Sequence, residues 1–321
     1  MTQPLTIQLI SPSGFADPQA IQRGVQRLER AGHRVLGADS GLRRYMRFAG
    51  NDAERLDEIN RLADPGVPLP DIVMAIRGGY GIHRLLPHLE YAAIGKRLQG
   101  SGCVLVGHSD FTALSLALRA RAGIISFAGP MLAYDFGGTS TSSFTIDHFW
   151  NTIRTPSRRV RWAAKAEQDL DTHGMLWGGN LAVLCSLLGS PYLPDTDNGI
   201  LFLEDVFEPV YRIERMFYQL KLSGVLDRQR AIVLGDFSGY RGDEYDPAYD
   251  LRAVISHLRG MTDTPVVGGL PFGHCRDKIT LPVGTRARLR VAAGGQADLA
   301  FAGHPHLAAV DADARQMPQT S

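Results

Sequence analysis

Short apolar runs alternate with amphipathic stretches through the first part of the chain, and this alternation limits the possible folds more than any other feature. The apolar runs cover residues 5–10, 33–36, 71–76 and 103–106. Continuous apolar strands are typical of a parallel sheet that helices cover on both faces. The pattern therefore predicts an α/β fold with a parallel sheet in its N-terminal part.

Local signals predict helices between and after these strands. Asp17 and Pro18 are residue types preferred at an N-cap and at the first helical position. A helical pattern follows the fourth strand from about residue 110 to residue 121, and another runs from residue 209 to residue 222. The second half also contains apolar segments that we interpret as strands, at 200–203, 231–234, 280–282 and 287–291.

A change in composition predicts a boundary between two domains. The segment GGTSTSS, residues 137–143, is small and polar, and a mixed, basic tract follows it. A chain of 321 residues suits two domains of about 150 residues each. We expect an N-terminal domain over 1–150, a linker over 151–171, a C-terminal domain over 172–310 and a loose tail over 311–321.

Charge and composition exclude several classes of function. The chain has 34 basic and 33 acidic side chains without a basic run, so we expect no nucleic-acid partner. Its apolar runs fall far short of the roughly 20 residues that span a bilayer, and the N-terminus lacks the pattern of a signal peptide. Three scattered cysteines suit neither a disulfide framework nor a zinc site. We expect a cytoplasmic protein without a membrane partner.

Ser109 follows the fourth strand in the stretch VGHSDFTAL, residues 106–114. Functional groups of open α/β sheets gather at the carboxyl ends of strands, and a nucleophilic serine there needs a tight turn with small neighbours. Gly107 satisfies that need, but Phe111 takes the place of the second glycine in G-x-S-x-G. The motif leaves two interpretations open, a nucleophile or a helix N-cap, and these residues alone favour the N-cap.

Two later segments provide a candidate base and a candidate carboxylate for this serine. His274 lies in GLPFGHCRDKITLP, which has the composition of a loop, whereas the side chain of His108 is expected to point away from its neighbour Ser109. Glu204 and Asp205 end an apolar strand. We expect Glu204 to orient the histidine and Asp205 to cap the helix that follows.

Two glycine-containing segments are further candidates. RGGYG, residues 77–81, ends the third strand, and its N–H groups could face an anion or an oxyanion. A tight turn without a ligand is an equally good interpretation, and the spacing fits no nucleotide-binding motif. Trp177 precedes two glycines in LWGGNLAVL and is a candidate to line the substrate-binding pocket, with packing in the core as the other interpretation.

Six blocks occur in order along the chain: LISPSG, RGGYGIHRLL, VGHSDFTAL, LWGGNLAVLCSLLGSPYLP, GILFLEDVFEPVYRIERMFYQL and GLPFGHCRDKITLPVG. Together they closely resemble the LD-carboxypeptidases, the muramoyltetrapeptide carboxypeptidases of peptidoglycan recycling, from about residue 5 to residue 306. The resemblance implies that Ser109 is the nucleophile and that Glu204 and His274 complete a triad. It implies no metal and no cofactor.

The resemblance also implies a reaction and an architecture. The amide between the L-centre of a diamino acid and a terminal D-alanine would be hydrolysed in a murein tetrapeptide, either free or attached to a muropeptide. Backbone N–H groups of Asp110 and Gly79 would form the oxyanion hole, and either Arg77 or a nest of backbone N–H groups could bind the terminal carboxylate. The N-terminal α/β domain would carry a nucleophile elbow, the C-terminal domain would be smaller and β-rich, and the protein would be a homodimer.

Two alternatives remain beside this interpretation. A related serine peptidase, such as a microcin-immunity enzyme, would share the fold and triad but act on a different amide. A non-catalytic module that binds an anion or nucleotide through RGGYG would leave the joint presence of Ser109, Glu204 and His274 without an explanation.

Overall fold

The computed structural model describes residues 4–292 and 295–307, and two β-sheets with packed helices form its framework. The strands of the described ranges are β1 (Thr6–Ile10), β2 (Arg34–Leu36), β3 (Ile72–Ala75), β4 (Val104–Gly107), β5 (Ser126–Ala128), β6 (Ser157–Ala163), β7 (Leu170–Asn180), β8 (Ile200–Glu204), β9 (Ala231–Leu234), β10 (Val266–Gly268), β11 (Leu281–Val283), β12 (Thr285–Val291) and β13 (Gln296–Ala302). The α-helices are α1 (Pro18–Arg30), α2 (Asp52–Asn60), α3 (Tyr91–Leu98), α4 (Phe111–Ala122), α5 (Ser143–Ile153), α6 (Leu181–Ser186), α7 (Val210–Leu222) and α8 (Leu251–Met261).

The first sheet has six strands in the order β11-β5-β4-β3-β1-β2. All neighbouring pairs from β5 to β2 are parallel, whereas β11 joins β5 in the antiparallel direction. Every residue of β3 and β4 is buried, as expected for central strands of a covered parallel sheet. The predicted α/β fold is confirmed, and β11 brings the second half of the chain back to this sheet.

The second sheet has seven strands in the order β10-β9-β8-β7-β12-β13-β6. Strands β7 to β10 are parallel, whereas β6, β13, β12 and β7 pair in the antiparallel direction. In the antiparallel part, polar and apolar residues alternate: Arg286, Arg288 and Arg290 are exposed, and the residues between them are buried. One face of this part of the sheet is therefore open to solvent.

The segment 151–171, which we expected to be a linker, contains β6, a full member of the second sheet. Arg159 and Arg161 of this strand lie on an exposed sheet face, and Arg161 pairs with Asp298 of β13. Alternating arginines on one strand face look like a polar tract when the partner strand is unknown. The expectation of a linker over 151–171 was wrong for this reason. The predicted tail over 311–321 lies outside the described residues.

Two helices show how local sequence and packing position the site. Asp17 accepts N–H bonds from Gln19 and Ala20, so the predicted cap at the start of α1 is confirmed. Helix α4 follows Ser109, and its residues 111–118 are all buried. It packs against β7 and α6 of the second half. None of the helices in the described ranges combines the length and apolar character needed to cross a bilayer.

Candidate active site

Ser109 lies on a sharp turn between β4 and α4. Its φ of 63° is in the left-handed region, which costs a residue with a side chain about 1–2 kcal/mol. The turn also needs a glycine at position 107, because a Cβ there would lie 2.6 Å from the Phe111 ring. Strain of this kind persists where the surrounding structure enforces it, and it is frequent at functional sites.

The side chain of Ser109 does not cap the helix. Asp110 occupies the N-cap position of α4, and the helix has no side-chain cap. The Ser109 carbonyl accepts the Thr112 N–H at 2.9 Å, while the hydroxyl makes no hydrogen bond with any described residue. The N-cap interpretation of Ser109 was therefore wrong.

A carboxylate–histidine pair lies at the carboxyl end of β8, an interior strand of the second sheet. Nδ1 of His274 and Oε2 of Glu204 are 2.7 Å apart, with Glu204 fully buried and 21% of the His274 side chain exposed. The amide of Asn180 donates to the other oxygen of Glu204 at 3.2 Å. The carboxylate is thereby fixed on two sides, and it holds the imidazole with its Nε2 available.

His108 connects this pair to the serine turn. Its ring meets that of His274 edge-on, with the ring centroids 5.0 Å apart. Its Nδ1 is hydrogen-bonded to the Gly129 carbonyl at 3.0 Å, as suits a packing residue and not a base. Burial, Lys278 and His274 lower the pKa of His108 well below its ordinary value, so it packs as a neutral ring. The residue next to Ser109 therefore touches His274.

No hydrogen bond joins Ser109 to His274 within the described ranges. Catalytic hydrogen bonds are often long or poorly aligned until substrate binds. Burial lowers the pKa of His274, but the hydrogen bond and charge of Glu204 outweigh burial, and the pKa is raised above its ordinary value. The carboxylate thus favours the protonated ring that a general base forms during reaction.

Asp205 has a different role from the one we predicted. Its carboxylate accepts the N–H groups of Ala182 and Val206, each at 2.9 Å, and the Asn180 amide at 3.0 Å. It therefore caps α6, not the helix that follows it in sequence, which has no side-chain cap. Burial raises the pKa of Asp205 to about 6. The sequence could not show this because α6 and β8 meet only in three dimensions.

The RGGYG segment lies directly against the serine. A Cβ on Gly78 would be 2.8 Å from the Ser109 Cβ, and Gly79 has a φ of 115° that favours glycine. The Gly78 carbonyl accepts the Gly14 N–H at 3.2 Å. The N–H groups of Gly79 and Asp110 donate to no other group in the part of the chain that the structure describes.

The carboxylate of Asp110 holds the glycine segments around the serine. It accepts the Ser13 hydroxyl at 2.6 Å and the Ile82 N–H at 3.1 Å, and it is almost fully buried. Burial raises the pKa of Asp110 despite these hydrogen bonds. The blocks LISPSG, RGGYGIHRLL and VGHSDFTAL, which are far apart in sequence, therefore meet through this side chain.

The two residues considered for substrate contact differ in their surroundings. Arg77 is exposed, donates to the Phe15 carbonyl at 2.9 Å and lines a pocket of about 420 Å³ with Gly79 and Tyr80. Trp177 is fully buried, and its indole N–H donates to Gln229 at 2.9 Å. The prediction that Trp177 contacts substrate was therefore wrong, because its ring belongs to the core of the second half.

Sequence reasoning missed Asn180 as a partner of Glu204, and also a buried Asp135–Lys278 ion pair with an Nζ–Oδ1 distance of 2.6 Å. Asn180 ends β7 and also caps α6 through its side chain. Its place at a strand end beside two glycines was a usable signal. No pattern in the sequence links Asp135 to Lys278, since 143 residues separate them.

Comparison with known proteins places this chain in one class, the carboxypeptidases. A model of the LD-carboxypeptidase N-terminal domain matches residues 7–129, and a model of the C-terminal domain matches residues 173–289. The chain belongs to the LD-carboxypeptidase family.

Individual relatives agree with this assignment. The crystal structure of a muramoyltetrapeptide carboxypeptidase from Oxalobacter formigenes is 44% identical, with a TM-score of 0.85 over 94% of this chain and 99% of that one. A putative carboxypeptidase of Streptomyces coelicolor is 34% identical over 88% of this chain and 89% of its own length. The microcin C7 self-immunity protein of Escherichia coli is 30% identical over 82% and 83%, respectively.

Proposed function

We propose that this protein is a serine-type LD-carboxypeptidase that releases the terminal D-alanine of murein tetrapeptides. The observation that carries the proposal is the 2.7 Å pair of Glu204 and His274, which contacts His108 beside the strained turn at Ser109. The name of the 44% identical Oxalobacter relative supports the substrate class.

In the proposed reaction, Nε2 of His274 accepts the proton of the Ser109 hydroxyl as its oxygen attacks the substrate carbonyl carbon. Glu204 accepts the hydrogen bond from Nδ1–H and stabilises the imidazolium. It also fixes the tautomer that leaves Nε2 unprotonated before attack. The free hydroxyl of Ser109 supports this role, because no competing hydrogen bond within the described residues must be broken.

The oxyanion of the tetrahedral intermediate would be bound by the N–H groups of Asp110 and Gly79. Each such donor contributes about 3–4 kcal/mol in kcat terms. The approach of Gly78 to Ser109 supports this assignment, because it places the RGGYG backbone beside the attacking oxygen. The N-terminus of α4 adds a favourable dipole at the same point.

Collapse of the intermediate breaks the amide bond, and the imidazolium of His274 gives its proton to the departing amine of D-alanine. Water then attacks the acyl-enzyme ester, with His274 again acting as the base, and the shortened peptide is released. The exposed guanidinium of Arg77, beside Gly79 in the 420 Å³ pocket, would bind the terminal carboxylate of the substrate.

A second candidate is a serine peptidase that acts on another amide. The 30% identity to the microcin C7 self-immunity protein supports it, because that protein aligns with most of this chain. Both candidates use the same three residues, so the substrate separates them.

For either one, we propose a cytoplasmic location, which the composition supports, and a homodimer, which the family resemblance supports.

The test is release of D-alanine from L-Ala-D-Glu-meso-diaminopimelyl-D-Ala by the purified protein in the presence of a chelator. We expect the wild type to release D-alanine and Ser109→Ala to lose about 10⁴-fold or more of this activity. Full turnover by Ser109→Ala would refute the nucleophile assignment. No turnover by the wild type would reject this substrate in favour of the second candidate.

A further inference from the structure

A lysine with no solvent exposure lies four residues after His274 on the same loop. The ammonium of Lys278 donates to Oδ1 of Asp135 at 2.6 Å, and the two side chains are 0% and 3% exposed. It also lies 4.7 Å from the centre of the Tyr134 ring. A buried ion pair contributes little net stability, because desolvation of both charges offsets their attraction. Stability alone therefore does not account for this pair.

Asp135 belongs to the N-terminal half of the chain, whereas Lys278 belongs to the C-terminal half. Asp135 lies on a π-helical turn, Leu132–Phe136, and its second oxygen accepts the Met131 N–H at 2.8 Å. The carboxylate is therefore held in place by its own backbone. The ion pair thus connects a rigid turn of the first half to the loop that carries the proposed base.

Two hydroxyl side chains of the first half hold the same loop through three hydrogen bonds. The Thr145 hydroxyl accepts the Lys278 N–H at 3.0 Å and donates to the Arg276 carbonyl at 2.8 Å. The Ser142 hydroxyl donates to Asp277 at 2.6 Å. Three consecutive residues after Cys275 are therefore bonded to the first half, which is the half that carries Ser109.

The charged groups around His274 shift its pKa in opposite directions. The groups that act on it are Glu204 and Asp205 at the end of β8, His108 before α4, Lys278 on its own loop and Asp135 behind the lysine. Burial and the charge of Lys278 lower the pKa of His274, while the carboxylates of Glu204 and Asp205 raise it. Without the lysine, His274 would bind its proton more tightly.

A general base must be unprotonated at the working pH. Glu204 stabilises the imidazolium during reaction, but the same interaction favours protonation before reaction. The fixed cation of Lys278 limits that second effect, because it lowers the pKa of His274.

We propose that the buried Asp135–Lys278 pair is a positioning element of the active site, which holds the His274 loop against the half that carries Ser109 and sets a fixed positive charge beside the imidazole. The role in catalysis rests on the function proposed above. The lysine touches no reacting atom in this scheme and acts through His274.

The test removes both charges together, so that neither remains buried without a partner. In Asp135→Asn/Lys278→Met, the two new side chains have nearly the same length as the originals. We expect the apparent pKa of the acidic limb of kcat/KM to rise by about 0.5 pH units. Lys278 acts on His274 more strongly than Asp135, which lies behind it, so the loss of both charges leaves the imidazolium stabilised and the active neutral form appears only at higher pH.

A direct titration makes the result independent of turnover. The His274 Cε1–H signal, followed by NMR as a function of pH in the folded protein, should show the same rise in the variant. The matched control is Asp171→Asn/Arg288→Met, which removes an ion pair on the exposed face of the second sheet, with contacts of 2.8 and 2.7 Å. It should leave both readouts unchanged.

The outcomes separate this proposal from the proposed function. A wild type without D-alanine release refutes the function, and the NMR titration still decides the role of the charge. A double variant in which His274 titrates as it does in the wild type overturns the proposal. An upward shift in the control variant would do the same, because the effect would then not be specific to the buried pair.

Discussion

The serine side and the histidine side of the site are built by different means. Backbone geometry fixes Ser109: its φ is 63°, and Gly78 and Gly107 leave no room for a Cβ. Side-chain bonds fix His274, through Glu204 at 2.7 Å and the clamped loop that follows it. The first side should therefore be sensitive to added volume, and the second to changes of charge.

Within this comparison, the largest expected effect on kcat follows from removing the negative charge on the histidine side. Glu204→Gln keeps the shape but loses the anion that orients and stabilises the imidazolium. We expect kcat for D-alanine release to fall by about 10³–10⁴-fold, as for the equivalent change in serine peptidases. The matched control is Asp205→Asn on the same strand end, which bonds α6 and not His274. A similar loss in the control would contradict the distinction between these two neighbouring carboxylates.

A smaller effect is expected from added volume on the serine side. In Gly78→Ala the new Cβ would lie 2.8 Å from the Ser109 Cβ, so the turn must shift. A displacement of about 1 Å costs about 10²-fold in rate, which we expect in kcat with the fold retained by circular dichroism. Gly242→Ala is the control, because nothing lies within 4 Å of its Cβ position. Wild-type activity of Gly78→Ala would show that the close approach is not needed.

The smallest effect is on stability. Glycine adopts the left-handed conformation of residue 109 without steric cost, whereas alanine does not. We expect Ser109→Gly to have a free energy of unfolding about 1 kcal/mol higher than Ser109→Ala, measured in urea. Equal values, or a more stable alanine variant, would mean that the turn at Ser109 holds no strain.

The sequence predicted most of the first sheet because its strands are continuous apolar runs with helices between them. Strand β6 was missed because its arginines alternate on an exposed face whose partner strand lies more than 130 residues away. Strand β11 was predicted, but its place in the first sheet was not, since only the folded chain brings it to β5. Local patterns show that a strand exists but not its partner.

The three proposed triad residues could be predicted because each lies at the end of an apolar run or in a glycine-rich loop. Asn180 offered the signal of a strand end beside two glycines, but its partner Glu204 could not be predicted, nor could the Asp135–Lys278 pair, because the partners are distant in sequence. Trp177 was assigned wrongly, since an aromatic ring before glycines suits a pocket wall and a core equally well. Burial, which decides between them, is a property of the fold.

The most direct test of the account is whether Ser109 and His274, which come from different halves, act as one unit. We would measure kcat/KM for D-alanine release by Ser109→Ala, His274→Ala and the double variant, using mass spectrometry to quantify the slow reactions. Residues that act together are strongly non-additive. The account predicts that all three variants retain the same residual activity. A double variant whose loss is the product of the two single losses would contradict it.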